Sequence, residues 1–145
     1  MRKLGIALML LVSSCGYKAP PPGKPELEGP KITIVEPHEA DTVKDTACVV
    51  FKAHDPSKTA RAALFVDGTS VSELKIAKPD TTVVGTLCFN SAEYYDGIRK
   101  IHVVAYDTWD NRGESGRITV YSLNGKVAEG GGRDTTKGPT PVHHR

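Results

Sequence analysis

Between residues 31 and 123, apolar and polar side chains alternate in short runs, and Pro, Gly, Asp and Asn separate one run from the next. A period of two is that of a strand with one buried face, so the pattern predicts β-structure throughout this region. The run around which the others are arranged is 99–111, where Ile101, Val103 and Ala105 share a face and Asp107, Asp110 and Asn111 offer local hydrogen bonds where the strand stops. Before it, 31–36 form a strand halted by Pro37, and 46–55 a second with Ala47, Val49, Phe51 and Ala53 inward and Cys48, Val50, Lys52 and His54 outward. A turn at 55–58 leads to 61–67, with Ala62, Leu64 and Val66 inward, and Asp67-Gly68 reads as a tight hairpin. Residues 71–77 return as a short edge strand that Lys78-Pro79-Asp80 breaks. Strand 82–90 follows, with Leu87 and Phe89 inward and Cys88 outward, and 117–123 close the unit with Ile118 and Val120 in the core. About seven short strands between turns predict an all-β fold of two antiparallel sheets packed face to face.

Composition sets the limits of that domain. The chain has 145 residues, 39% hydrophobic and 25% charged, enough for one domain with a modest core. Gly and Pro concentrate at 16–30 and 125–141, which predicts a packed unit over 31–123 and a disordered tail over 124–145. The 19 basic residues exceed the 17 acidic ones only through Arg2 and Lys3, which fall in a segment expected to be removed. The balanced remainder carries no basic field to gather nucleic acid.

Residues 1–14 have the form of a secretory signal, a basic start, an apolar run and then small residues. The apolar run from Leu4 to Val12 is far short of the ~20 residues that span a bilayer as a helix. Its end, Val12-Ser13-Ser14-Cys15, resembles a bacterial lipobox. That resemblance implies a mature protein that begins at Cys15, carries diacylglyceryl and acyl (palmitate) groups there, and is held on a membrane by several chains together. Gly16, where an aspartate would imply retention at the inner membrane, implies the outer membrane in a Gram-negative cell. Plain secretion with Cys15 otherwise engaged is the competing reading. Residues 15–30 then form a Pro/Gly-rich tether that spaces the domain from the lipid.

The folded region resembles the bacterial immunoglobulin-like domains of secreted and cell-surface proteins. The matching features are Ala53-His54-Asp55, the hairpin Phe65-Val66-Asp67-Gly68, Asp96-Gly97 before the late strand, and Val104-Ala105-Tyr106-Asp107 at its end. The resemblance implies an immunoglobulin-like sandwich and says little about a ligand. The chain departs from the family in the late turn, where Asp110-Asn111 stands in place of its common Gly-Asn and Trp109 adds bulk before it. With Cys15 lipidated, Cys48 and Cys88 remain, an even pair in an exported domain, which favours a disulfide. In an immunoglobulin-like topology their strands are neighbours and both residues point outward, so a cross-strand bridge on the solvent side is expected. Free cysteines or redox chemistry are the other readings.

Candidate chemistry is sparse. Asp55, Asp107, Asp110 and Asn111 have the oxygen chemistry of a calcium site without the spacing of a known calcium loop, and aspartates capping turn amides explain them better. No metal or other cofactor is expected. His54 and His102 lie on the polar phases of separate strands and Ser115 has no identified base, so no enzyme is expected. Tyr94, Tyr95 and Trp109 are the candidate recognition residues, placed at opposite ends of the late strand. The expected function is an envelope lipoprotein whose domain is a structural or protein-interaction module. Its partners would be the membrane, through the acylated N-terminus, and an envelope protein or glycan. The alternative is a carbohydrate-binding or adhesion module, to be recognised by exposed, coplanar Tyr and Trp.

Overall fold

The computed structural model describes residues 27–129. The signal segment, Cys15, most of the tether and the tail beyond 129 lie outside the described residues, as do the expectations that rest on them. Among the described residues seven strands appear in chain order: β1 (Lys31–Glu36), β2 (Thr42–Val43), β3 (Thr46–Val66), β4 (Thr69–Asn90), β5 (Gly97–Asp107), β6 (Arg112–Glu114) and β7 (Ile118–Ser122). A single 3₁₀ turn, Ser91–Glu93, precedes β5. No helix among the described residues is long and apolar enough to cross a membrane.

The strands form an all-β, immunoglobulin-like sandwich. Each of the long strands β3 and β4 serves both sheets. In the first sheet, β1 pairs with 50–54 of β3, and 46–54 of β3 pair with 82–90 of β4. In the second, 59–66 of β3 lie between the first part of β4 and β5, while β6 and β7 follow one another along the other side of β5, so that this sheet is four strands wide. The order is that of an immunoglobulin-type sandwich, with β2 added in parallel to β7.

The expected turn at 55–58 and break at 78–80 are therefore corners within continuous strands rather than separations between strands. At the first corner, Asp55 Oδ1 accepts the Ser57 amide at 2.6 Å and Lys58 adopts φ 66°, so the chain bends without reversing. The pairing Thr59↔Asp80 keeps β3 and β4 in register contact across it. Register shifts on both sides of Thr59 mark the bulge by which a strand changes sheet. The hairpin at Asp67-Gly68 stands as expected, with φ values of 50° and 84° that favour glycine at the second position.

The predicted inward phases hold. Val49, Phe51 and Ala53 of one sheet meet Leu64, Val66, Ile101 and Val103 of the other, all buried. Strand β5 is buried on both faces, because Val104 and His102 on its outward side are also covered. At the chain's entrance, Pro30 is buried and the backbone of Gly29 lies against that of Arg112 and Gly113. A Cβ on Gly113 would overlap the Pro30 carbonyl, so this approach requires glycine. At the other end, Asp96 accepts the amides of Asn124 at 2.7 Å and Gly125 at 3.0 Å. These bonds tie the first tail residues to the folded unit.

Candidate functional site

The disulfide is formed. Cys48 and Cys88 are direct register partners on β3 and β4 and are bonded to each other, on the outward side of the three-stranded sheet. The bridge closes a 40-residue separation and pins the sheet on the face away from the core.

The turn after β5 is built around Asp107. Its carboxylate accepts the amides of Trp109 and Asn111 and the Asn111 side-chain amide, each at 2.8 Å, and the residue is buried. Thr108 joins this turn to the 55–58 corner, donating its hydroxyl to the Ser57 carbonyl at 2.6 Å and its amide to the Lys58 carbonyl at 3.0 Å. Asp110 instead pairs with Arg61 at 3.2 Å. The four calcium candidates thus do different work: Asp55 and Asp107 cap turn amides, Asn111 serves Asp107, and Asp110 faces an arginine. Among the described residues no three His, Cys, Asp or Glu side chains come together to hold a metal ion. Ser115 is also committed locally, its hydroxyl accepting the Val103 amide and donating to the Gly116 carbonyl, both at 2.9 Å.

The three candidate aromatics are not gathered. Tyr94 packs edge-on to Phe89 with ring centres 6.1 Å apart, under Arg99 at 5.2 Å. Burial, with Asp67 and Glu93 nearby, raises its phenol above the ordinary value. Tyr95 is 48% exposed beside Lys126, and Trp109 is 44% exposed beyond the far end of β5. The 11 residues of β5 place these two roughly 35 Å apart. They form no common platform.

What alternation could not reveal is the outward face of the four-stranded sheet. Residues paired across strands share a face, so β3, β5 and β6 set side by side Arg61, Tyr106 and Arg112, then Ala63, Val104 and Glu114. The next rows are Phe65 with His102, and Lys100 with Thr119 of β7. Arg61 lies over the Tyr106 ring at 3.6 Å, and the His102 ring stacks on Phe65 with centres 5.0 Å apart. His102 Nε2 is 3.2 Å from Glu114 Oε1, and Glu114 also meets Arg112 at 3.0 Å and Arg117 at 3.5 Å. Burial pushes the His102 imidazole below its ordinary value despite Glu114, with Arg117 and Arg112 adding to the effect. Burial also pushes the Glu114 carboxyl up, but the Arg112 hydrogen bond and the charges of His102, Arg112 and Arg117 outweigh it and leave the group low.

Two depressions open on this side of the molecule. One, of about 500 Å³, lies over Ala63 between Phe65, Tyr106 and Glu73. The other, of about 360 Å³, is lined by Asp67, Gly68, Lys100, His102 and Arg117.

No protein-family model matches the chain, and no curated protein matches it. Among solved structures it is similar to fibronectin(III)-like modules of Clostridium thermocellum CbhA, at 16% identity and TM-score 0.49, covering 63% of this chain and 93% of that one. It is similar to the endo-β-1,4-mannanase from Thermotoga petrophila at 13% identity and TM-score 0.49, covering 69% of this chain and 21% of that one. A Jonesia denitrificans lytic polysaccharide monooxygenase matches at 19% identity and TM-score 0.45, covering 61% of each chain. Likeness at this level assigns no activity, and the fold rests on the strand order given above.

Proposed function

We propose that this protein is a lipid-anchored envelope protein whose immunoglobulin-like domain is a non-enzymatic interaction module. The observation that carries the binding role is the outward face of the four-stranded sheet, where charged and aromatic side chains cover a disulfide-pinned sandwich and two depressions open between them. The Val12-Ser13-Ser14-Cys15 motif supports the location, since acyl chains on Cys15 raise the local concentration of the domain at a membrane. The work of the module is non-covalent recognition of an envelope partner.

Fractionating cells that express the full chain or its Cys15→Ala variant tests the anchor. The full chain is expected in the membrane fraction, with incorporation of a palmitate analogue, and the variant in the soluble fraction. An unchanged membrane location in the variant would overturn the anchor while leaving the binding role open to its own test.

A further inference from the structure

The smaller depression on the four-stranded sheet is lined by two cationic side chains, Lys100 and Arg117, and one carboxylate, Asp67. Its walls are the Asp67-Gly68 hairpin on one side and Arg117, just before β7, on the other, with Lys100 and His102 of β5 as the floor. Gly68 leaves the hairpin side open, since a Cβ there would meet nothing within 4 Å.

The charges around it do not cancel. Asp67 lines the pocket but is already engaged: its carboxylate takes Arg99 at 3.0 Å and the Lys100 amide at 2.9 Å. Glu114 carries one negative charge against two arginines, Arg112 and Arg117. Arg117 contributes only a 3.5 Å contact to it, and its side chain is 67% exposed. The Lys100 ammonium enters no ion pair among the described residues. His102 is held in place by Phe65 stacking and by Glu114 at Nε2, and shapes the floor beside Lys100.

A concave site with two surplus positive charges, one on a guanidinium and one on an ammonium, has the donor set that binds an oxyanion. We infer that the pocket between the β3–β4 hairpin and β7 binds an oxyanion, carboxylate or phosphate, through Lys100 and Arg117, with His102 as its floor. The inference rests on the reading of the domain as a binding module and names the chemistry its ligand would present. The pocket lies toward the Gly97 end of β5, away from the end where the tether enters beside Gly113.

The test is a titration of the folded domain with its disulfide intact, followed by NMR of the Lys100, His102 and Arg117 signals. Inorganic phosphate and acetate are the probes, and chloride at matched ionic strength is the control. Saturable shifts confined to these residues are expected with at least one probe, and which probe saturates identifies the source of the oxyanion. Lys100→Gln with Arg117→Gln, both on the surface, is expected to weaken binding at least about tenfold. Lys52→Gln, on the outward face of the other sheet, is expected to leave it unchanged. The inference is overturned if neither probe saturates, if chloride produces the same shifts, or if the Lys52 variant loses as much affinity as the pocket variant. Crosslinking of the anchored protein to an envelope partner would survive that failure, so the general binding role is tested separately.

Discussion

At the scale of single residues, the informative groups are polar side chains buried with a task. Asp107 was legible in the sequence as a turn residue, because an aspartate at the end of a strand has few uses other than accepting nearby amides. Its acceptance of three donors bears this out. His102 was legible only as an outward-facing residue; its burial, at 6% exposure, depends on Phe65 and Glu114, neither of which is near it in sequence. That burial has a consequence for stability. The His102 imidazole has a lower proton affinity in the folded state than its ordinary value of 6.5, so the unfolded chain binds the extra proton as pH falls below that point. Stability present above about pH 6.5 is therefore lost on acidification, and Glu114, also held low, adds a second loss in the same direction below 4.5. The charged groups facing His102 are Glu114 and Arg112 on β6, Arg117 before β7 and Lys100 on β5. Urea midpoints measured from pH 7.5 to 5 are expected to fall in the wild type. The fall should be shallower in His102→Gln, and equal slopes would contradict the assignment.

At the scale of elements, the strands were legible where one face is buried and illegible where the chain bends. Period-two alternation found the inward sets of β3, β4 and β5. It could not distinguish a turn that ends a strand from a corner that carries the strand into the other sheet, since both recruit Asp, Pro and Ser. Strands β2 and β6 were missed for a simpler reason, having two and three residues and no apolar alternation. The disulfide belongs to this scale, because it joins two strands whose outward phases both came from the sequence. Closing a loop of this length contributes roughly 4 kcal/mol in the chain-entropy account. Replacing Cys48 and Cys88 together by serine is expected to lower unfolding free energy by about 2–4 kcal/mol, read as a shifted urea midpoint at similar slope. A midpoint unchanged by the double substitution would mean that the bridge adds nothing to a sandwich already fixed by its core.

At the scale of the whole molecule, the two sheet faces are chemically unlike. The three-stranded sheet presents the disulfide together with Lys52, Thr82, Val84 and Thr86, and a smaller depression of about 180 Å³ beside Lys31 and His54. The four-stranded sheet presents a linked set of ion pairs, two stacked ring contacts and both of the larger depressions. None of this difference was readable in advance, because it depends on which strands become neighbours. Lys100 and Arg117 line one pocket only because β7 pairs with β5. The sequence did indicate the sandwich itself and the lipobox-like motif that supports a membrane location. Gly29 against Gly113 places residue 29 toward the Trp109 end of β5, and the pocket lies toward the other end of that strand. The most direct measurement is photo-crosslinking in intact envelopes, with a photoreactive residue at Thr119 on the four-stranded face or at Lys52 on the other. The account requires a discrete adduct from Thr119 and none from Lys52. An adduct from Lys52 alone, or equal adducts from both positions, would contradict it.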